Sequence, residues 1–468
     1  MSLLEDPEAR ALLADAEVSA DDVRGCRDHI TRFLKRYLPL FYRQEQRGHA
    51  AAFVRGLLSG LERKSAEPIA YQAGIPRKDL QYFGGGGGWD DDKVLAELRR
   101  HVREELAEED GVIVLDPSAF PKRGGHSCGV ARQWCGRLGK KENCQIGVLL
   151  AYTSAKGHAP LDRRLYLPQE WVDDPVRREG CHVPEGVTYR KTWEIAHDLL
   201  ARSGPGIPHK WVVGDDEFGR ASEFRAALRG DGERYVLDVP CNTNIRDLDG
   251  RRPPRKKAHK GAKRKVPFVR VDTWARKLPA DRWTRLTVRD GAKGPLEVEA
   301  VSARVCARLS RRIGPEERLL VIRTLGPRPD WTYCMSDAPP DETLAELVRV
   351  RSCRHRIEEV FQQAKGEVGL AHYEVRSWVG WHHHVTLALL ALWFLVLERG
   401  RLGGKTPAVT VAQMRAIFTE LLRKRPPTAR EIAEAVSRVL RRNEEARIYH
   451  WHSKTKTFPP RRVRSGFS

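Results

Sequence analysis

Residues 110–121 read DGVIVLDPSAFP and residues 210–219 read KWVVGDDEFG. Each contains a short, uninterrupted apolar run that closes on an aspartate: Val112 to Leu115 runs into Asp116, and Trp211 to Val213 into Asp215. Apolar runs of this length without alternation predict strands buried on both faces. In an open α/β sheet the crevice beyond the carboxyl ends of such strands is where ligands bind. Working outward, Ser127 to Trp134 and Gln145 to Tyr152 predict antiparallel partners of the first strand, linked through glycines. Thr192 to Ala201 predicts a helix, Ser222 to Leu228 another, and Tyr235 to Val239 a further strand. Three strands, a helix, a strand, a helix and a strand make a mixed α/β sheet with flanking helices.

The sheet divides the chain. Residues 1–108 predict a helical N-terminal domain, with Phe33, Leu34, Leu38 and Phe41, then Phe53, Leu57, Leu58 and Leu61, at helical spacing among basic residues. The glycine run Gly84 to Gly88 predicts a flexible joint before a helix whose start is rich in Asp. Residues 109–240 and 331–400 predict a split α/β domain, interrupted at 241–330 by a β-rich insertion. That insertion opens with a basic loop, RRPPRKKAHKGAKRK (251–265), and continues with strand-like runs at Phe268 to Val271, Trp283 to Val288, Leu296 to Val301 and Leu319 to Ile322. The sheet resumes near Trp331 to Met335, and a long helix begins around Asp341. Residues 401–468 are a helical C-terminal region with a basic tail.

Lys and Arg outnumber Asp and Glu by 83 to 62 in 468 residues, a net charge of +21. Such an excess favours a polyanionic partner, and nucleic acid is the expectation. The nine cysteines are scattered and odd in number, as in a reduced, cytosolic protein, and Cys128, Cys135 and Cys144 are spaced too widely for a zinc knuckle. The N-terminus lacks the basic start and apolar stretch of a signal peptide, so no export is expected. The longest apolar run, Val385 to Leu397, is too short to span a bilayer, so no membrane is expected and a buried helix is predicted.

Phosphodiester cleavage and joining need an activated water or sugar hydroxyl and a stabilised pentacovalent phosphorus. Two divalent ions roughly 3.5–4 Å apart supply both, and hard Mg²⁺ requires little more than a few carboxylates. Asp116 and Asp215 are placed for this at strand ends. A third acid comes from the helix RSCRHRIEEVFQQAKGEVGL, in which Arg354, Glu358 and Lys365 lie within about 40° of one another around the axis. One stripe then joins a metal-binding carboxylate to two cations suited to DNA phosphates.

The blocks VLDPSAFPKRGGHSCGVARQWCGRLGKKENCQIGV, LDRRLYLPQEWVDDPVRR, WVVGDDEFGR and RIEEVFQQAKGEVGLAHYEVRSWVGWHHHVTLALLA resemble those of DDE insertion-sequence transposases. The resemblance is to the insertion sequence four superfamily, and more narrowly to the family numbered seven hundred and one. Of the superfamily's Tyr, Arg, Glu and Lys signature, Arg354, Glu358 and Lys365 match, while the Tyr position holds Arg351, which removes one DNA-contacting aromatic. The resemblance implies an RNase H-like fold with Asp116, Asp215 and Glu358 as catalytic residues and ligands of two Mg²⁺ (or Mn²⁺) ions. It implies a bacterial transposase, active as a homo-oligomer on DNA, in the cytoplasm at the nucleoid. Its substrate would be double-stranded DNA, both the terminal inverted repeats that it cleaves and the target that the freed 3′-hydroxyl attacks. The alternative is a DNA-binding regulator, inactive or domesticated, that kept the fold; the presence of all three acids argues against it.

Several neighbours compete for these roles. Asp216 and Glu217 abut Asp215, which is preferred because it directly follows the strand and occupies the family's slot. Glu359 points about 100° away from the Arg354 and Lys365 stripe. His382, His383 and His384 are adjacent on a helix and cannot all face one ion, so His384 is expected to make a buried hydrogen bond. Lys122 and Arg132 follow the first strand, where a DNA backbone would pass, and Arg255, Lys256 and Lys257 carry the basic loop to the same partner.

Overall fold

Strand β1 (Val112–Pro121) is the long central strand, and β2 (Ala131–Cys135), β3 (Lys140–Thr153), β4 (His158–Leu165), β5 (Trp211–Gly214) and β6 (Tyr235–Asp238) follow it along the chain. The structure is a computed structural model and describes residues 3–14, 16, 18–250, 267–291, 294–309, 312–403, 409–423 and 428–460. Beyond β6 come β7 (Asn244–Asp247), β8 (Val269–Arg270), β9 (Thr284–Gly291), β10 (Gly294–Leu309), β11 (Arg312–Thr324) and β12 (Trp331–Ser336). All pair into one sheet of order β2-β3-β1-β5-β6-β12-β11-β10-β7-β8, with β4 on β3 and β9 on β10. β3 is antiparallel to both β1 and β4, and β1, β5 and β6 are parallel. The result is a mixed α/β architecture with one large mixed sheet, consistent with an RNase H-like fold.

Register determines what the strand ends present. On β1 and β5, Val112 lies opposite Trp211 and Val114 opposite Val213. On β5 and β6, Val213 lies opposite Val236 and Gly214 opposite Leu237. Continued past the last paired residues, these registers set Asp116, Asp215 and Asp238 side by side at the carboxyl ends of three adjacent parallel strands.

The helices before the sheet are α1 (Pro7–Ala14), α2 (Ala20–Tyr37), α3 (Gln44–Leu58), α4 (Ala66–Ala73), α5 (Arg77–Gly85) and α6 (Asp91–Leu106). Within and after it come α7 (Gln169–Val172), α8 (Pro175–Gly180), α9 (Thr192–Ser203), α10 (Asp216–Gly219), α11 (Ser222–Gly230), α12 (Val271–Ala275), α13 (Leu344–Glu367), α14 (Trp378–Gly403), α15 (Val411–Leu421) and α16 (Ala429–Thr455). Buried side chains of α2, α3, α6, the strands and α14 form one continuous apolar cluster. A second cluster, including Val239, Ile245, Trp274, Leu319, Tyr333 and Met335, lies under β7 to β12.

Helix α14 is buried without a break from Gly380 to Val396. Among the described residues no helix is long and apolar enough to cross a membrane. The three histidines at its start each meet a different carbonyl: His382 that of Trp378 at 2.9 Å, His383 that of Trp89 at 3.1 Å and His384 that of Gly369 at 2.8 Å. Gly147 of β3 makes room for this helix, since a Cβ there would come within 2.8 Å of the Trp381 ring.

One expectation needs correction, and one strand went unread. The stretch 158–165, for which no element was expected, is a full strand whose buried Asp162 and Arg163 disguise it. The glycine run is a packed turn rather than a loose joint. Gly84 and Gly85 end α5, the amides of Gly86 and Gly87 both donate to the Tyr82 carbonyl, and the run closes on the stacked rings of Phe83 and Trp89. The basic loop with Arg255, Lys256 and Lys257 lies outside the described residues.

Candidate active site

The site is built where β1, β5 and β6 end beneath α13, which crosses all three strands. Asp116 is half-buried and accepts the Ser118 hydroxyl at 2.6 Å, a bond two residues along the same face of β1. Asp215 leaves β5 as the N-cap of α10, taking the Glu217 amide at 3.0 Å and the Phe218 amide at 3.4 Å. The cap turns its carboxylate inward, while Asp216 pairs outward with Arg220. Burial is the largest influence on Asp215 and pushes its carboxyl up to about 7; Arg354 pulls it down, and Glu217, Asp116 and Asp216 push it up further. Two adjacent acids short of positive charge are what a divalent cation relieves.

Glu358 stands on α13, four residues after Arg354, and the two form an ion pair. The expected stripe is therefore present, with Arg354 in contact with Glu358 and within electrostatic reach of Asp215. Lys365 follows on the same helix, its Nζ 3.4 Å from the Ala119 carbonyl and 5.0 Å from the centre of the Phe120 ring. It stands over β1, a few residues beyond Asp116. Lys122 does not face outward. Its Nζ donates to the Tyr373 carbonyl at 3.1 Å and sits 3.3 Å above that residue's ring. Burial lowers its ammonium to about 8. Arg132 is exposed on β2, opposite Asn143 of β3.

The residue that sequence reasoning passed over is Asp238. It is 8% exposed, at the end of β6. Arg351 grips it with both ends of its guanidinium, Nε at 3.2 Å from Oδ1 and Nη2 at 2.9 Å from Oδ2, and Arg354 Nη1 adds a third contact at 2.7 Å. The Cys334 thiol donates to Oδ1 at 3.1 Å. Burial alone would raise this carboxyl, but Arg351, followed by Arg354, holds it below the usual carboxylate range. The signal was available: YVLD (235–238) has the same form as VIVLD (112–116), an apolar run ending on Asp. Arg351 is the bidentate partner of this acid.

All the acids here are hard oxygen donors, the chemistry that suits Mg²⁺ or Mn²⁺. Among the described residues no three acid, Cys or His side chains already converge on one point. Asp116 and Asp215 are neighbours, whereas Glu358 is turned onto Arg354.

Residues 36–295, more than half of the chain, match the DDE superfamily endonuclease family. The chain belongs to that family. The matched segment contains Asp116, Asp215 and Asp238 and ends before Glu358. DDE superfamily endonucleases generally use divalent metal ions, in keeping with the oxygen donors found here. A curated relative from Microchaete diplosiphon, described as "Probable transposase for insertion sequence element IS701", is 25% identical over 196 residues. That alignment covers 41% of this chain and 49% of the relative, so the chain spans about half the length of the curated protein that it matches.

Proposed function

We propose that the chain is a DDE transposase that cleaves DNA at the terminal inverted repeats of a mobile element and joins the freed 3′-hydroxyl to target DNA. The observation that carries this reading is the row of strand-end aspartates, Asp116 beside Asp215, roofed by a helix bearing Glu358 and Arg354. Asp116, Asp215 and Glu358 would hold two Mg²⁺ or Mn²⁺ ions. When bound, such ions supply an activated water or hydroxyl and offset charge on the pentacovalent phosphorus. The remaining work belongs to the protein. Ser118 orients Asp116, and the α10 cap orients Asp215. Arg354 and Lys365 bind the phosphates beside the scissile bond. Arg132 meets the DNA backbone further along the duplex, as does the loop with Arg255, Lys256 and Lys257.

In this reading residues 1–108 serve DNA binding, 109–240 with 331–400 the chemistry, 241–330 form an insertion beside the site, and 401–468 a helical C-terminal region. The active form is a homo-oligomer on paired ends, working at the bacterial nucleoid.

Asp116→Asn and Glu358→Gln are each expected to reduce Mg²⁺-dependent end cleavage at least a thousandfold while leaving end binding within a few-fold of normal. Cleavage of labelled end fragments and a mobility-shift titration measure the two. Undiminished strand transfer by either variant removes that acid from the site.

A further inference from the structure

We infer that Asp238 is a fourth acidic member of this reaction centre, a positioning residue that acts through Arg351 and Arg354 rather than through a metal. The inference rests on the transposase reading and extends it. Asp238 stands in register with Asp215, one strand further from Asp116. Its carboxylate is already saturated: Oδ1 accepts Arg351 Nε and the Cys334 thiol, and Oδ2 accepts Arg351 Nη2 and Arg354 Nη1. Four donors use the four lone-pair directions of a carboxylate, and two guanidiniums exclude a cation from the same place.

The charges give the arrangement its purpose. As the structure stands, Asp238 and Glu358 together offset the two guanidiniums; once Glu358 turns to another partner, Asp238 alone faces both, which leaves an excess positive charge beside Asp116 and Asp215, where a bridging phosphate must lie. Arg354 touches both Asp238 and Glu358, so it remains held by Asp238 if Glu358 turns to another partner. The backbone is fixed as well. A Cβ on Gly219 would overlap the Asp238 carbonyl, so only glycine lets α10, capped by Asp215, pack directly on the end of β6. The two strand ends that bear Asp215 and Asp238 are thereby locked to each other.

The test compares the full-length wild type with Asp238→Asn, Arg351→Gln and the double variant. Nicking of a DNA fragment carrying both ends of the chain's own coding element gives the rate. Titration with Mn²⁺, followed by the electron paramagnetic resonance of the free ion, gives metal binding without reference to activity. Asp238→Asn is expected to cleave about 10–100-fold more slowly with Mn²⁺ binding within twofold of wild type. The double variant should be no slower than the slower single, since both changes break one unit. Loss of Mn²⁺ binding in folded Asp238→Asn, as in Asp116→Asn, makes Asp238 a ligand and overturns the inference. Wild-type cleavage by folded Asp238→Asn reduces it to a brace and overturns it too. Should Asp238→Asn fail to fold, Arg351→Gln decides, because it leaves Asp238 paired with Arg354: slow cleavage with intact Mn²⁺ binding supports the inference, and normal cleavage overturns it. A wild type that does not nick overturns the transposase reading itself, a result distinct from any of these.

Discussion

Lys122 and Arg132 leave neighbouring stretches of chain for opposite surroundings, which gives each a separate prediction. The Lys122 amine is committed to the carbonyl and ring of Tyr373. Lys122→Ala should therefore lower stability by about 1–2 kcal/mol, the loss of a desolvated cation–π contact and a hydrogen bond. The salt dependence of DNA binding should not change. Arg132 is exposed, so Arg132→Ala should leave the urea midpoint in place and flatten the log K against log salt slope by about 1. A reversed pattern would exchange their roles. At this scale the acids were legible because a strand that ends on a carboxylate announces itself in sequence: Asp116 and Asp215 interrupt apolar runs, and Glu358 shares a helical stripe with Arg354. Asp238 carried the same mark but was absorbed into a strand extended to Val239. Its meaning depends on Arg351 and Arg354, more than a hundred residues away, and no local pattern shows that pairing.

Helix α13 must be held at both ends if Glu358 is to stay above the strands. At the active-site end the Asp238 contacts hold it. At its carboxyl end the ammonium of Lys64, 2% exposed, donates to the carbonyls of Leu57 at 2.5 Å, Ser59 at 2.8 Å and Glu367 at 2.6 Å. Burial lowers this lysine to about 7, with Arg415 pushing the same way and Glu367 opposing, while three carbonyls at two helix ends favour the charged form. Gly369, with φ at +65°, takes the left-handed turn that brings the chain against Lys64, where a Cβ would collide with the lysine side chain. Lys64→Met should cost about 3–5 kcal/mol, because the carbonyls would be left buried and unpaired. Hydrogen exchange should show the last turn of α13 opening first; unchanged protection there would mean that Lys64 does not anchor the helix. The same logic explains why β4 was illegible. Asp162 is fully buried but is met by Arg99 at 3.1 Å, Arg202 at 2.7 Å and Ser203 at 2.7 Å, and Arg163 by Asp91 and Asp92. A strand whose burial depends on partners from α6 and α9 has the composition of a loop, whereas β1, β5 and α14 declare themselves through apolar residues alone.

Across the whole molecule, the core that joins the N-terminal helices to the sheet encloses imidazoles that must remain neutral. His383 and His384, at the start of α14, and His101 of α6 are each pushed down to about 4, burial being the main cause, and His382 is driven well below its ordinary value for the same reason. An unfolded chain protonates these groups near 6.5, so in this window it binds protons that the folded chain refuses. Their contribution to stability is therefore complete above about pH 6.5 and is lost as the pH falls toward 4. Asp215 works the other way, since its raised carboxyl takes up a proton in the folded chain before it would in the unfolded one. The buried imidazoles outnumber the carboxyls of Asp215, Glu105 and Asp337 that burial raises, so below about pH 6.5 the balance of proton uptake favours the unfolded chain. The urea midpoint should accordingly fall steeply as the pH drops below about 6. Replacing the histidine that stacks on Trp89, by His383→Gln, should lower stability at pH 8 but make the acid side shallower by about one proton. A midpoint that stays level to pH 5 would mean that the core admits imidazolium, and the carbonyl contacts of the three histidines would then need another explanation.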